Sequence, residues 1–519
     1  MSDGLGHETA PGHIQPGLSR RDLLKLGAAA GLCAAGYPAS VWSAATDTKD
    51  QIIISRPEEF QKMDAYDNFN LVNYSLFLHV FDFLVEMDQN GKIVPSLAES
   101  WEASRDGLSW TFKLKRGVKF HTGDAFTSKS VKFSLERLKD KKLARSGWWS
   151  ELDRVDTPDD YTAVVRTTAP VGPMLSNLMT PTVMYSEKQA ERDGPTFFDK
   201  PIGTGPFKFV EWRKNDRFVM DVNPDYWKPG VPKLKRVVYR PIMEDFTRVA
   251  GLRSGELDVA DTIPPDQVAT LQRDEKLAVL RTMAWDQLYL GLKCDQPPFD
   301  KVEGRQAANY AIDRKILVEK IMEGGRPAAA IVPQGVLGYH DGLKPYPFDP
   351  DKAKSLLATI GFKTGTRLRM IAPEGWYPKI KEITETIVSQ LKGVGIDCNL
   401  TIMEGAAFTQ ARAAGNYNIY VTGGASWDAD QLAYQRIRND VFKSGYRNDK
   451  VFSLLHEGRT TVDQNKRAEL YRAAQEILYQ EGPMVWLYQM EHIYGLKKNV
   501  KGFIGYPFKV FDLRKTEKA

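Results

Sequence analysis

The sequence predicts an α/β fold spread over more than one domain. Three observations carry this expectation. Short apolar or alternating runs of strand length take turns with capped, 3.6-periodic helices, above all in the second half. The chain has 519 residues, which at roughly 100–200 residues per domain means two to four domains or one large elaborated body. No internal repeat and no low-complexity linker divides it.

Each element has its own local reason. Gln51–Ser55 (QIIIS) is a short apolar run, read as a buried strand. Val80–Met87 leads into Gln89-Asn90-Gly91, a hairpin-type turn. Leu108–Leu114 (LSWTFKL) alternates, with Trp110, Phe112 and Leu114 on one face. Ser128–Lys139 is predicted helical, with Val131, Leu135 and Leu138 aligned. Asp349-Pro350 opens a helix as N-cap and first-turn proline, and Gly361 closes it. Glu382–Val394 is another helix, followed by Gly395. Asp463 caps a third, which ends before Gly482-Pro483. Leu368–Ala372, Asn399–Met403 and Ile419–Thr422 are the strands between them.

The first 45 residues read as an address. Ser19-Arg20-Arg21-Asp22-Leu23-Leu24-Lys25 precedes an Ala/Gly-rich apolar run, Leu26–Gly36, and small residues follow at Ser43-Ala44-Ala45. A charged segment, a short apolar segment and a small-residue site make an export signal. Six of the seven positions from Ser19 agree with the twin-arginine signature. Cys33 follows Leu32 rather than a small residue, so lipidation is not expected. The mature chain is expected to begin near Thr46, in the periplasm.

Bulk numbers exclude several classes. Beyond residue 45 no apolar stretch reaches the length of about 18 residues that a spanning helix needs. The net charge is +5 and its basic runs are short, which argues against nucleic acid. Cys294 and Cys398 lack a CxxC partner or nearby His, so neither a metal nor a redox centre is expected, although a disulfide between them is open. No G-x-S-x-G elbow or H-E-x-x-H helix appears, and the histidines are scattered, which speaks against an exported enzyme. Gly203-Thr204-Gly205 has no following Lys-Ser/Thr and is not a phosphate loop.

Eight segments, in order, carry a resemblance: VFDFLVEMDQNGKIVPSLAESW (Val80–Trp101), LSWTFKLKRGVKF (Leu108–Phe120), PIGTGPFKF (Pro201–Phe209), NPDYW (Asn223–Trp227), LRSGELDV (Leu252–Val259), RQAANYAIDR (Arg305–Arg314), FDPDKAKSLLATIGF (Phe348–Phe362) and GPMVWL (Gly482–Leu487). Together they resemble the solute-binding proteins of ABC importers, family 5, the peptide, nickel and opine class. The resemblance implies a two-lobed periplasmic-binding-protein fold (type II, large cluster C type) with a hinge and an extra inserted domain. Mapped onto this chain, 1–45 is the signal peptide, 46–90, 201–286 and 495–519 are lobe I, 91–200 is the inserted domain, and 287–494 is lobe II. The hinge is expected to cross at Trp285–Cys294 and Leu487–Leu496. The implied partners are a small organic ligand, permease and ATPase subunits, and the twin-arginine translocase. The protein is expected to be a monomer that needs no cofactor. A metal-chelate or an opine or sugar cargo is the alternative within the family.

Site residues follow by resemblance. Gly423–Asp430 (GGASWDAD) resembles the family's W-x-x-D segment, which makes Asp430 the partner of a ligand ammonium, with Asp428 as rival and Trp427 beside it. Gly424 and Ala425 leave backbone open for strand-like pairing with a peptide. Dipeptide binders carry Arg-Pro-Tyr upstream, where the Arg clamps a carboxylate. Here Glu374 stands at that place, followed by Trp376 and Tyr377, which offer stacking faces. Trp285 at the hinge and Met63-Asp64, in place of a Leu-Asp-Pro loop, complete the candidates.

Overall fold

Two long strands, Leu277–Leu292 and Met484–Lys497, run antiparallel through the middle of a mixed eleven-stranded sheet. The structure, a computed structural model, describes residues 49–67, 71–89, 91–179 and 182–519. The export signal expected at 1–45 lies outside the described residues. Lys49–Ala519 forms one compact unit.

Sixteen extended residues reach about 50 Å, enough to serve two halves of a molecule. On one side of the long pair lie Val259–Ala260, Gln51–Arg56, Arg236–Pro241, Arg217–Val222 and Phe207–Arg213. On the other lie Ile419–Ala425, Arg367–Pro373 and Asp397–Met403. Gln51–Arg56 pairs in parallel with Arg236–Pro241, and Arg367–Pro373 in parallel with Asp397–Met403. The helix Ile380–Gly393 makes the second crossover and buries Ile383, Ile387 and Leu391.

The long pair is interrupted. Met283 faces Glu491 and Gln287 faces Gln489, so Ala284, Trp285 and Asp286 stand opposite the single Met490. Such a bulge bends a strand and re-aims its side chains. Here it separates the two halves of the sheet.

A second, four-stranded sheet lies within Ala98–Thr167 and packs on the helix Ser128–Arg137. Trp110, Phe112 and Leu114 face inward, as their alternation predicts. The Thr127 side chain accepts the Lys129 amide and caps that helix. Asp349 accepts the Lys352 amide and Asp463 the Lys466 amide at the two other expected starts. Gly482 ends the helix Gln464–Glu481 at φ +58°, a turn that favours glycine.

Cys294 and Cys398 are both free thiols. Two strands separate Cys398 from the strand that leads to Cys294. Three spacings of about 4.8 Å exceed the reach of a disulfide. Among the described residues no helix is long and apolar enough to cross a membrane.

Candidate functional site

The bulge opens onto a partly enclosed cleft with a cavity volume of about 70 Å3. Its floor is Asp286 with Tyr488, Met490 and His492. One wall is Trp376, Tyr377 and Pro378; the other is Thr262, Ile263, Pro265 and Lys509. Trp376 is 43% exposed, a large aromatic face left toward solvent.

Asp286 is the notable acid of this floor. It sits in the bulge, unpaired on the Met484–Lys497 side and paired with Ala425 on the other. Its Oδ1 is buried and has no hydrogen-bond partner. Burial raises its pKa to about 6, against the opposing pull of Lys509, Arg436 and the amides of Gly424 and Gln287. Gln287 Oε1 and His492 Nε2, both near the bend, are likewise buried without partners. Burial, with Lys509 and Arg56 adding to it, lowers His492 to about 3, so its imidazole is neutral at pH 7. Partnerless buried polar atoms are few in native proteins and need a reason. Two of them, on Asp286 and His492, lie at the cleft and point to a solute that supplies the missing bonds.

Lys509 reaches the cleft from the C-terminal segment at φ +61°, a strained conformation for a non-glycine. Its Nζ lies 3.2 Å from Glu58 Oε1. Burial opposes ionisation of Glu58, yet Lys509 and Arg56 outweigh it and lower the acid to about 2.

The strand Ile419–Ala425 supplies open backbone. Only Ile419 and Tyr420 pair with Arg367–Pro373, so Val421–Ala425 projects beyond its neighbour. Gly423, Gly424 and Ala425 are half-buried. Tyr377 Oη accepts the Gly423 amide at 2.7 Å. A Cβ on Gly423 would lie 2.8 Å from Gln287 O, and one on Gly424 2.1 Å from Arg436 Nη2. The backbone contact requires glycine at 423, whereas at Gly424 the flexible Arg436 side chain can give way.

Trp285 and Trp427 join a different cluster. Trp285 is 3% exposed and lies 5.9 Å from the Phe508 ring. Trp427 lies 5.8 Å from Phe508 and 6.2 Å from Tyr74, and its Nε1 is buried without a partner. Loop glycines close over Trp285, since a Cβ on Gly335 would lie 2.4 Å from its Nε1.

The acids expected at the ligand are occupied by protein. Asp430 Oδ2 accepts from Arg459 at 2.6 Å and Oδ1 from Tyr471 at 3.3 Å. Burial raises it to about 6 although Arg459 opposes the shift. Asp428 accepts both terminal nitrogens of Arg467, at 2.7 and 3.0 Å, and the Ser176 hydroxyl at 2.9 Å. In this conformation neither carboxylate is open to an ammonium. Asp64 is likewise taken, by both terminal nitrogens of Arg137 and by Tyr185, with Met63 half-buried beside it. Glu374 is exposed and lines no part of the cleft.

The structure thus brings Trp376 and Tyr377 together with Gly423, Gly424 and Ala425. It separates Trp285 and Trp427 from them and spends Asp430 and Asp64 on ion pairs. Asp286 and Lys509 were not singled out from sequence. An acid inside the apolar run AWDQLYLGL was the available signal for Asp286. Among the described residues no group of three or more His, Cys, Asp or Glu is placed to hold a metal ion.

Comparison with known proteins bears on the family and the fold. The pattern of the bacterial extracellular solute-binding proteins, family 5 Middle, matches residues 92–441. The glutathione-binding protein GsiB of Escherichia coli O1:K1 / APEC is 29% identical, over 93% of this chain and 98% of its own. The DppA periplasmic binding protein of Helicobacter pylori, solved with the peptide STSA, is 27% identical with a TM-score of 0.77, covering 90% of this chain and 98% of its own. HbpA2 of Haemophilus parasuis is 26% identical with a TM-score of 0.80, covering 90% and 100%. The two halves of the sheet, the bend between them and the additional four-stranded sheet are therefore the periplasmic-binding-protein fold with its extra domain. The chain belongs to the bacterial extracellular solute-binding proteins, family 5.

Proposed function

We propose that this protein captures a peptide-like, amine-bearing solute in the cleft and presents it to the permease of an ABC importer. The observation that carries the reading is Asp286, a carboxylate with a partnerless buried oxygen on the floor of an aromatic-walled cleft. An ammonium supplies the missing bond, and a charge-assisted bond is strong where water is excluded. Gly423–Ala425 offers strand backbone to the ligand's amides, and Trp376 and Tyr377 cover it. GsiB and DppA, named for glutathione and seen with a tetrapeptide, support a peptide-like ligand. Asp286 takes the role first expected of Asp430.

The bend at Ala284–Asp286 acts as the hinge between lobe I (46–90, 201–286, 495–519) and lobe II (287–494), with 91–200 as the inserted domain. A ligand held by both lobes favours the closed form, which is the form a permease distinguishes. Thermal-shift screening tests the ligand class, because a solute selective for the folded state raises the melting temperature. Glutathione and short peptides are expected to raise it. A rise with sugars alone would refute the peptide assignment. Export by the twin-arginine route is part of the proposal. Changing Arg20 and Arg21 to Lys is expected to leave the protein in the cytoplasm, and undiminished export would refute that route.

A further inference from the structure

The segment 91–200 meets lobe II through a row of polar bonds. Arg459, in the last turn of the helix Asp449–Thr460, donates to Glu151 Oε1 at 3.2 Å. Ser176 Oγ donates to Asp428 Oδ2 at 2.9 Å. The Gly172 amide donates to Arg459 O at 2.7 Å, and Gly172 O accepts from Gln464 Nε2 at 3.3 Å. Gly172 is buried against the turn that joins this helix to the helix Gln464–Glu481. A Cβ there would lie 2.3 Å from Thr461 O and 2.7 Å from Arg467 Nε. Its φ lies outside the left-handed region, so close approach across the boundary is the reason for glycine.

The pairing across this boundary is lopsided. Arg459 also holds Asp430 at 2.6 Å, and Arg467 holds Asp428 at 2.7 Å, so both of these pairs lie within lobe II. If the two bodies part, each cation keeps its carboxylate. Parting frees the Glu151 carboxylate, the Ser176 hydroxyl and the two backbone groups of Gly172, and water can bond all of them. The Glu151 side chain is already 25% exposed. No unpaired charge is left in the interior, so the contact can break and re-form at modest cost. A contact that hinge motion makes and breaks needs this arrangement; a fixed one does not.

We infer that Glu151, Gly172 and Ser176, seated on Arg459, Thr461 and Asp428, form a latch that favours the closed form of the empty protein. The inference rests on the proposed hinge at Ala284–Asp286 and not on the chemistry of the cargo. Closure is then an equilibrium that the fold itself biases, and a bound solute adds to that bias rather than creating it.

Small-angle X-ray scattering of the whole protein, freed of co-purified solute by unfolding and refolding, tests the latch in wild type, E151K, E151Q and G172V. E151K turns the ion pair into a repulsion. G172V pushes the seat apart without a change of charge. The empty wild type is expected to show the radius of gyration of the closed form, E151K and G172V a larger one, and E151Q a value between. Glu151 reaches solvent, so E151K carries the test should G172V not fold. Equal radii in wild type and E151K, with a lowered unfolding midpoint in E151K, would mark a fixed contact between domains and overturn the latch. An empty wild type as extended as its variants, contracting when glutathione is added, would overturn the latch and leave the hinge standing. A radius that neither the variants nor glutathione change would overturn latch and hinge together.

Discussion

Asp286 shows how one residue can set a binding protein's chemistry. An unfolded carboxyl titrates near the ordinary value of about 4, while in the fold Asp286 titrates near 6. Between these pH values the folded chain holds the proton more tightly, so this side chain's contribution to stability falls as pH rises from about 4 to about 6. Binding an ammonium requires the ionised form. Affinity for an amine-bearing ligand is therefore expected to rise with pH, by up to about tenfold per unit below 6, and to level off above it. In Asp286→Asn the dependence should vanish and affinity at pH 7 should drop by about 2–5 kcal/mol. Calorimetric titrations between about pH 5 and about pH 8, where ordinary proteins are most stable, make the comparison. An unchanged pH profile in the variant would remove Asp286 from the site. The sequence hid this residue because its distinction is geometric. Only the bulge, which no local pattern announces, frees it from pairing with Met484–Lys497.

At the scale of elements, the segment Ser426–Gln431 is strapped to the helices Asp449–Thr460 and Gln464–Glu481. Asp428 holds Arg467 and Asp430 holds Arg459, and Arg459 also reaches Glu151 at 3.2 Å. Ser176 donates to Asp428, and the Gly172 amide to Arg459 O at 2.7 Å. These bonds join lobe II to the segment expected as the inserted domain. Arg467 is fully buried, so Asp428→Ala leaves an uncompensated charge in the interior. Urea unfolding is expected to show a loss of about 3–5 kcal/mol. A loss below about 1 kcal/mol would mean the pair is solvated and the strap weak. Helices and strands were the most legible level of the sequence. Asp349, Asp463, Gly482 and the alternation around Trp110 fix local structure through bonds and faces that lie within a few residues. The role of Asp430 was less legible. A resemblance places an acid on a loop, but which cation meets it depends on a helix some thirty positions away in the chain, read here as Arg459.

The whole molecule turns on two strands shared by both halves. The resemblance conveyed the two-lobed architecture and the two crossings at Trp285–Cys294 and Leu487–Leu496. The bend needed three dimensions, because it arises from a mismatch of three residues against one between strands far apart in sequence. The central proposal is that the two halves close on an amine-bearing, peptide-like solute seated between Asp286 and the strand edge at Gly423–Ala425. Native mass spectrometry of protein isolated from the periplasm tests it most directly. We expect one equivalent of a small peptide or kindred amino acid derivative, released on unfolding and identified by fragmentation. A neutral sugar or a stoichiometric metal ion in its place would contradict the claim.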